Sequence, residues 1–320
     1  MTAYSVLVPF LPRRTEQILP LAALVNWTNA ERLWQGQALM MEPHQGFVSA
    51  AGAGFRVPTG FGVTLMPLRH PYEAALQARS VAMATGRSVV AGYGPGARPF
   101  QASVMGSPYR SPLTAAREYL TAVRGLLDGD VVDQDGTYFT VRAQLPPCAA
   151  PRVDVGLGVL RPGMARLAGE VADVAISWLT PAAYIRDVLA PAIREGADRA
   201  GRSAPRITAM VPVALARPGS PPEELALASN AAHLQAPHYI DMLRRAGVRV
   251  DGGSPEDAAR ALVEGNAFVS GDADRVTALL REYEEAGVDE IVLNTTGVHK
   301  THGQNEAVSD LRTILAAVTR

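Results

Sequence analysis

Glycines that follow predicted strands are the first feature of this sequence that bears on ligand binding. Gly92, Gly94 and Gly96 form a Gly-x-Gly-x-Gly run directly after a predicted strand. A dinucleotide-binding site would need the complete glycine fingerprint and an acidic residue about 20 residues later, and neither is present. A phosphate-binding P-loop would need Gly-Lys-Ser or Gly-Lys-Thr, which is also missing. The run therefore indicates a turn that could line a cofactor, without identifying that cofactor.

A second glycine-rich turn joins a predicted strand to a predicted helix. The strand runs through Val155 into Gly158, and Arg161, Pro162 and Gly163 follow at the start of the helix. Free backbone N–H groups at a helix start favour an anion, and an arginine would add a charged partner. The same pattern also fits an ordinary turn between a strand and a helix.

The histidines do not form a metal-binding pattern. His233 and His238 are five residues apart with a proline between them, and no carboxylate pattern completes a site near His299 and His302. We therefore predict no metal. His44 is the candidate catalytic residue, because it follows the second predicted strand, where barrel enzymes place catalytic groups. The alternative for His44 is an ordinary surface histidine.

Other catalytic patterns are absent from the sequence. There is no Gly-x-Ser-x-Gly motif, no close pair of carboxylates stands out as a glycosidase site, and few acid or base groups follow the predicted strands. This composition favours an enzyme whose cofactor carries the reaction and whose side chains position it.

Composition and charge narrow the class of protein. The chain has 320 residues, 30 basic and 31 acidic, for a net charge of -1. This balance argues against a nucleic-acid partner, and no apolar run reaches the roughly 18 residues of a membrane span. The start of the chain lacks a signal-peptide pattern, and a single cysteine, Cys148, excludes an intrachain disulfide. We therefore expect a cytoplasmic protein.

Strands and helices alternate along the whole chain, which predicts a parallel sheet. Eight strands are expected, and eight strand–helix units favour a closed (β/α)8 TIM barrel over an open sheet. The barrel is predicted to form one domain over residues 1–320. The predicted strands begin near residues 4, 32, 59, 88, 153, 174, 207 and 288.

Three segments fall outside this alternation. Residues 131–141 alternate around Asp135-Gly136 and predict a β-hairpin. Residues 38–55 show no clean period and are predicted to be a loop over one mouth of the barrel. Residues 217–272 hold short predicted helices around 222–232, 237–246 and 255–264, and we interpret this stretch as an insertion or lid before the last unit.

Several short motifs occur in order between about residue 4 and residue 315: VPTGFGV at 57–63, RHP at 69–71, GYGPG at 92–96, LAGEVAD at 167–173 and YEEAGVDE at 283–290. Together they closely resemble the bacterial luciferase-like oxidoreductases. The resemblance implies a TIM barrel with an insertion, a reduced flavin cofactor, either FMN or the deazaflavin F420, and commonly a homodimer. It also implies a cis peptide bond on the third strand, here Gly62–Val63, that supports the cofactor ring.

The resemblance further implies which residues contact the cofactor. The loop at 158–162 matches the region that holds the cofactor phosphate, and the loop at 93–96 matches one that lines the ring and the ribityl chain. The implied cofactor contacts are Phe10, Gln37, Ala38, Gly62, Val63, Tyr93, Gly94, Gly96, Gly158, Val159, Leu160, Arg161 and Pro162.

The sequence departs from part of this family at two positions. Some F420-dependent dehydrogenases carry Asp-His at the end of the second strand, and Gln37-Ala38 stands there in this chain. The glutamate that those enzymes place after the fourth strand matches Ala97. The chain therefore does not resemble a sugar-phosphate or alcohol dehydrogenase of that kind.

We therefore expect a reductase in which reduced F420 transfers a hydride to an activated C=C or C=N bond. The Gly-, Ala- and Met-rich mouth at 36–54 suits a bulky natural product or a modified peptide with a dehydroamino acid. One alternative is a two-component FMN-dependent monooxygenase, and another is a non-catalytic flavin-binding partner subunit. The expected substrate is a small molecule or a peptide.

Overall fold

The computed structural model describes residues 2–37, 39–250 and 253–318. Its strands are β1 (Ala3–Leu7), β2 (Leu33–Gln35), β3 (Thr59–Leu65), β4 (Val89–Gly94), β5 (Val132–Asp135), β6 (Thr140–Ala143), β7 (Val153–Gly158), β8 (Val174–Trp178), β9 (Arg206–Leu215), β10 (Val269–Gly271) and β11 (Glu290–Asn294). Its helices are α1 (Leu19–Trp27), α2 (Pro43–Gly52), α3 (Pro71–Thr85), α4 (Arg98–Met105), α5 (Pro112–Asp128), α6 (Pro162–Val171), α7 (Ala182–Tyr184), α8 (Ala190–Arg199), α9 (Pro222–Asn230), α10 (Pro237–Arg245), α11 (Pro255–Glu264), α12 (Ala273–Glu285), α13 (Thr296–His302) and α14 (Gln304–Val318).

Eight parallel strands close into a barrel. They pair in the order β1, β2, β3, β4, β7, β8, β9 and β11, and β11 pairs with β1 to complete the ring. All eight correspond to the predicted strands, so the predicted (β/α)8 barrel is confirmed. The predicted hairpin is confirmed as well, because β5 and β6 pair in antiparallel register outside the barrel.

Apolar side chains pack in two layers, one between the strands and the surrounding helices and one inside the barrel. The inner layer contains Leu7, Trp34, Val90, Val174, Ile176, Met210 and Val292. Such filling is usual in TIM barrels, which have packed interiors rather than pores. It leaves the carboxyl ends of the strands, which we call the mouth, as the place for a ligand.

The prediction of a loop over residues 38–55 was wrong, because α2 occupies most of that stretch. The helix begins at Pro43, a residue whose fixed φ suits the first helical turn. It buries Phe47, Ala50 and Ala51, which are spaced three and four residues apart. Two helical glycines, Gly46 and Gly52, dilute this pattern and explain why the sequence did not reveal it. The helices α4 and α13 and the short strand β10 were also not predicted.

The segment 217–272 contains α9, α10, α11 and β10. β10 pairs in parallel with the last three residues of β9, so it extends the sheet outside the barrel. α9 lies against α13, where Gly297 permits a close approach, because a Cβ there would overlap the carbonyl of Leu225. Since α13 follows the carboxyl end of β11, the segment packs at the mouth.

Candidate active site at the mouth of the barrel

Three neighbouring strands present glycine to the inside of the barrel. β3, β4 and β7 each carry a pair of glycines two residues apart, and we call these six residues the glycine wall: Gly60, Gly62, Gly92, Gly94, Gly156 and Gly158. Alternate residues of a strand face the same side of a sheet, so each pair shares a face. Four of these glycines face the inside of the barrel. A Cβ on any of them would overlap a side chain of the inner layer, namely Trp34, Met210 or Ile176.

The two outermost glycines of the wall face a more open space. A Cβ at Gly94 would meet only Val63, at 2.9 Å. The atoms nearest to a Cβ at Gly158 would belong to Val63 and the backbone oxygen of Tyr93, at 3.6 and 3.7 Å, which are ordinary contact distances. The mouth-side part of the wall is therefore flat, and Val63 is the side chain that lies across it.

A bulge in β3 turns Val63 into this position. The register between β3 and β4 shifts by one residue between Phe61 and Thr64. Such a bulge re-aims a side chain relative to the regular alternation of a strand. The Gly62–Val63 peptide bond within it is cis, as predicted from the family resemblance. The Thr64 hydroxyl donates to the Gly92 carbonyl at 3.1 Å, which ties the bulge to β4.

The end of β2 borders the bulge. The backbone N–H of Gln37 donates to the Val63 carbonyl at 3.1 Å. A Cβ at Gly36 would lie 3.2 Å from the Gly62 carbonyl, so this approach is close. The structure thus brings together Gln37, Gly62, Val63, Gly94 and Gly158, which are 121 residues apart at their extremes (158 − 37). Ala38, also predicted to contact the cofactor, lies outside the described residues.

Two predicted cofactor residues turn their side chains away from the mouth. The Tyr93 ring lies 5.2 Å from that of Tyr119 in the outer layer, and its hydroxyl donates to the Ala74 carbonyl. Val159 is buried, and its N–H donates to the Ile176 carbonyl at 2.8 Å. The Tyr93 side chain therefore does not face the cofactor position; only its backbone borders the wall. The predicted contact between Val159 and the cofactor is therefore based on the position of Val159 in the loop.

The loop after β4 is held by a residue that sequence reasoning did not identify. Gly96 has φ +72°, which glycine adopts without a steric penalty. The buried amide of Gln101 donates to the carbonyls of Pro95 and Gly96 at 3.0 and 2.8 Å. These bonds fix the loop beyond Gly94, at the edge of the mouth.

The predicted phosphate loop leads from Gly158 into α6. Leu160 is half-buried, Arg161 is the residue before the helix, and Pro162 is its first residue. No side chain caps the start of α6, so its first N–H groups are available to an anion. An Arg161 guanidinium N–H donates to the carboxylate of Asp241 on α10, at 3.4 Å. The loop is thus linked to the insertion.

The far side of the mouth is formed by rings. Phe10, predicted to contact the cofactor, lies after β1 with its ring 4.7 Å from that of His299 on α13. Trp178, the last residue of β8, stacks on His233 at 5.4 Å and an interplanar angle of 25°. The Tyr239 ring meets the edge of His233 at 4.7 Å.

Several buried polar atoms at this side of the mouth have no hydrogen-bond partner among the described residues. They are Trp178 Nε1, His233 Nδ1, Thr295 Oγ1 and both ring nitrogens of His299. Leaving such atoms unpaired costs about 1–3 kcal/mol each, so a ligand that pairs with them gains affinity. Together with the flat glycine wall opposite, these atoms make the mouth suited to a planar cofactor and a second, smaller ligand.

A polar cluster lies behind the wall, in the layer between β3 and α2. Glu42 accepts hydrogen bonds from Arg69 at 2.8 Å and from the Gln37 amide at 3.1 Å. His44 Nδ1 lies 3.6 Å from the same carboxylate, and the His44 ring lies 4.4 Å from that of Phe61. The cluster thus holds Gln37, whose backbone N–H contacts the bulge, in place.

The His44 ring packs against Phe61, a residue of the outer layer. Burial, with a smaller contribution from Arg69, lowers the pKa of His44 to about 3. The imidazole is therefore neutral at pH 7 and forms no ion pair with Glu42, despite their proximity. The catalytic role of His44 stays a prediction.

Sequence reasoning missed the residues that line the far side of the mouth. Trp178 and His233 are 55 residues apart (233 − 178), and their contact has no local signal. The position of Trp178 at the end of a predicted strand was the available sign, since such residues line the mouth of a barrel.

In residues 2–37, 39–250 and 253–318, no helix combines the length and apolarity needed to cross a membrane. The same ranges contain no group of three His, Cys, Asp or Glu side chains placed to hold a metal ion.

Comparison with known proteins identifies the family. The model of the family described as luciferase-like monooxygenase matches residues 12–290, so the chain belongs to this family. It is 33% identical over 148 residues to a 5,10-methylenetetrahydromethanopterin reductase of Methanolobus tindarius, covering 46% of this chain and 44% of that protein. It is 29% identical over 196 residues to an F420-dependent glucose-6-phosphate dehydrogenase of Nocardia farcinica, covering 59% and 56%. The chain thus spans about half the length of these curated relatives.

Solved structures share the fold over nearly the whole chain. The coenzyme F420-dependent tetrahydromethanopterin reductase of Methanopyrus kandleri superposes with a TM-score of 0.76 at 20% identity, covering 99% of this chain and 97% of that one. The oxygenating constituent of 3,6-diketocamphane monooxygenase of Pseudomonas putida, in complex with FMN, superposes with a TM-score of 0.72 at 16% identity, covering 99% and 98%. These likenesses establish the TIM-barrel fold.

Proposed function

We propose that this protein is an F420-dependent reductase that transfers a hydride to an activated C=C or C=N bond. The observation that carries the proposal is the glycine wall, whose open part at Gly94 and Gly158 is crossed only by Val63. A flat ring fits against such a surface, because no side chain other than Val63 rises from it. The curated relatives named above act with F420 or on a pterin, which favours F420 over FMN.

F420, when bound, would supply a hydride from its reduced ring. The residues of this chain would hold it at two places: Val63 and the outer glycines under the ring, and Arg161 with the start of α6 at the phosphate. The anion at the phosphate end would compete with Asp241 for Arg161, because one guanidinium N–H already donates to that carboxylate.

The proposal of reduction, rather than alcohol or sugar oxidation, rests on the end of β2 and the start of α4. An oxidation of a hydroxyl group needs a base near that hydroxyl. Gln37 carries no titratable group, and Ala97, the residue before α4, carries none either. The ring of His44, the other candidate base, packs against Phe61.

We further propose that residues 217–272 act as a lid over the substrate. α10 supplies Tyr239 and Asp241, and His233 precedes this helix. These residues contact Trp178 and Arg161 at the mouth. A lid of this kind excludes water from a hydride transfer and admits a bulky substrate when it opens. Natural products or peptides with a dehydroamino acid are the proposed substrates.

The test is a parallel titration of the purified protein with F420 and with FMN, followed by the Arg161→Ala variant. We expect the wild type to bind F420 and the variant to bind it about tenfold more weakly. A charge-assisted hydrogen bond is worth about 1.5–3 kcal/mol when it is buried and less when it is half exposed. Arg186→Ala is the matched control, because Arg186 pairs only with the neighbouring Asp187 on the surface. Uptake of FMN without F420 would contradict the cofactor assignment.

An FMN-dependent monooxygenase is the second candidate. It is favoured by the fold shared with the FMN-containing oxygenating constituent of Pseudomonas putida. Consumption of oxygen by the protein with reduced FMN, and none with reduced F420, would establish this alternative. Turnover of any electron acceptor by the purified protein with a reduced cofactor would exclude a non-catalytic partner subunit.

A further inference from the structure

The indole nitrogen of Trp178 is a buried polar atom at the mouth of the barrel. The register of the sheet places Gly158 beside Ile176, and Trp178 is the next inward residue towards the mouth on the same strand. The indole therefore projects above the level of the glycine wall. Its nitrogen is buried and has no hydrogen-bond partner among the described residues.

Two features fix the orientation of this indole. His233 stacks on one face, and its own edge is held by the ring of Tyr239. The next residue, Leu179, is fully buried and has φ +56°, a left-handed conformation that costs about 1–3 kcal/mol for a residue other than glycine. The Leu179 N–H donates to the Met210 carbonyl and the Thr180 hydroxyl to the Trp178 carbonyl, so the strained turn is anchored on both sides.

An indole nitrogen can only donate a hydrogen bond. Its missing partner must therefore be an acceptor, and none of the described residues supplies one. We infer that the Trp178 N–H donates to the carbonyl oxygen of a substrate in which that carbonyl is conjugated with the bond to be reduced, and that His233 is a positioning residue for the indole. This inference rests on the proposed function and narrows its substrate class to α,β-unsaturated carbonyl compounds, including dehydroamino acid residues of peptides.

The chemistry explains why a donor at this place would matter. The β-carbon of the substrate accepts a hydride, which is two electrons and a proton, from the reduced cofactor. The π pair of the C=C bond then moves towards the carbonyl, and the oxygen becomes an enolate oxygen. The Trp178 N–H bonds more strongly to this oxygen than to the neutral carbonyl, which lowers the barrier. The α-carbon takes its proton from water, and the cofactor leaves oxidised by two electrons.

His233 contributes position rather than charge. Burial, followed by the nearby His238 and Lys300, lowers the pKa of His233 to about 4. The ring is therefore neutral at pH 7, so it stacks on the indole without adding a charge. A neutral imidazole is also a poor acid, which is why the proton for the α-carbon is assigned to water.

The experiment compares the cofactor-loaded wild type with Trp178→Phe, which keeps an aromatic ring and removes the N–H. The carbonyl-conjugated acceptors are 2-cyclohexen-1-one and N-acetyldehydroalanine methyl ester, and phenazine methosulfate is an acceptor without a carbonyl. We expect kcat/KM for both carbonyl compounds to fall about 100-fold, as for the loss of one oxyanion donor. The cofactor Kd and the reduction of phenazine methosulfate should change less than about twofold.

Trp27→Phe is the control, because Trp27 is 74% exposed at the end of α1 and far from the mouth. His233→Ala should lower kcat for the carbonyl compounds about fivefold with little change in KM, and His233→Phe should restore it by restoring the stack. An equal loss towards phenazine methosulfate, or a weaker cofactor Kd in Trp178→Phe, would overturn the inference, since the N–H would then serve packing or the cofactor. Reduction of phenazine methosulfate but of neither carbonyl compound by the wild type would overturn it too. Failure of the wild type to bind F420 or FMN would instead refute the proposed function itself.

Discussion

At the amino end of the barrel, the buried carboxylate of Glu290 accepts hydrogen bonds from Ser5 and from the Trp34 indole, both at 2.6 Å, and Arg32 lies 3.4 Å away. At the carboxyl end, Trp178 and His233 are half-buried, and each has a buried ring nitrogen without a hydrogen-bond partner among the described residues. Two tryptophans of one barrel thus stand in opposite situations. One is satisfied by the protein, and the other has an open hydrogen-bonding position.

This difference indicates that the two ends of the barrel have different roles. Buried polar groups that are fully paired stabilise a unique arrangement, whereas unpaired ones cost free energy and need a reason. At the amino end the reason for Glu290 is to hold Trp34, which fills the space over Gly60. At the mouth, the reason that we propose is a ligand. Changes at the amino end should therefore cost stability, and changes at the mouth should cost binding or catalysis.

The largest expected effect is on stability, from Glu290→Ala. The change removes the partner of a buried arginine, Arg32, and of the Trp34 indole, and breaking a buried pair in this way costs about 3–5 kcal/mol. Chemical denaturation would measure the free energy of unfolding. Thr295→Val is the matched change at the mouth, and since the Thr295 hydroxyl is already unpaired we expect it to alter that free energy by less than about 1 kcal/mol. Equal losses of unfolding free energy in the two variants would contradict the difference between the two ends of the barrel.

The acid sensitivity of the fold should come from histidines near the mouth. The folded pKa values of His233 and His44 are about 4 and about 3, below the ordinary value of 6.5. The unfolded chain therefore takes up protons that the folded chain does not, and stability falls as the pH drops below about 6.5. Each histidine contributes a slope of about 1.4 kcal/mol per pH unit until its folded pKa is reached.

The slope can be assigned with a variant. Unfolding free energies of the wild type and of His233→Phe, measured between pH 6 and pH 4.5, should differ in slope by about 1.4 kcal/mol per pH unit. His302→Phe, which removes an exposed histidine that bonds to Ser220, is the control. An unchanged slope in His233→Phe would show that the buried ring is protonated in the folded protein.

The glycine wall offers a test in which stability and binding separate. Gly158→Ala should leave the free energy of unfolding nearly unchanged, because the atoms nearest to the new Cβ, in Val63 and a backbone oxygen, lie at the ordinary contact distances of 3.6 and 3.7 Å. Cofactor affinity should fall about tenfold, or about 1.4 kcal/mol, because the methyl group projects into the space proposed for the ring. Gly52→Ala, at the end of α2 with nothing within 4 Å of its Cβ, is the control. An unchanged cofactor Kd in Gly158→Ala would show that the glycine wall is not part of the cofactor site.

The smallest effect is expected at the link between the insertion and the phosphate loop. Asp241→Asn should strengthen cofactor binding two- to fivefold, because it frees Arg161 from an ion pair that is half exposed and therefore worth about 0.2–1 kcal/mol. Fluorescence titration would measure the Kd. Asp187→Asn, which removes a surface carboxylate paired with Arg186, is the control. Weaker binding in Asp241→Asn would indicate that Asp241 positions Arg161 rather than competing with the phosphate.

The fold was largely predictable because each strand and most helices carry local signals. Buried parallel strands appear as short apolar runs, and a glycine such as Gly86, with φ +65°, is typical of a helix end. α2 was not predicted, because its glycines obscure the period. Family motifs predicted that the glycine wall is the side of the mouth that holds the cofactor. The far side was not, because Trp178 and His233 belong to different units of the chain.

The sequence alone shows glycines two residues apart on three strands, at 60 and 62, 92 and 94, and 156 and 158. That spacing fixes a shared face for each pair, because strand side chains alternate. Only the tertiary structure decided that the three faces form one wall. Closure of the barrel and the register that sets Gly92 beside Gly156 bring them together, and the bulge at Gly62–Val63 lays one side chain across them. Packing of the insertion then placed His233 on Trp178, a contact set by long-range burial that no local pattern encodes.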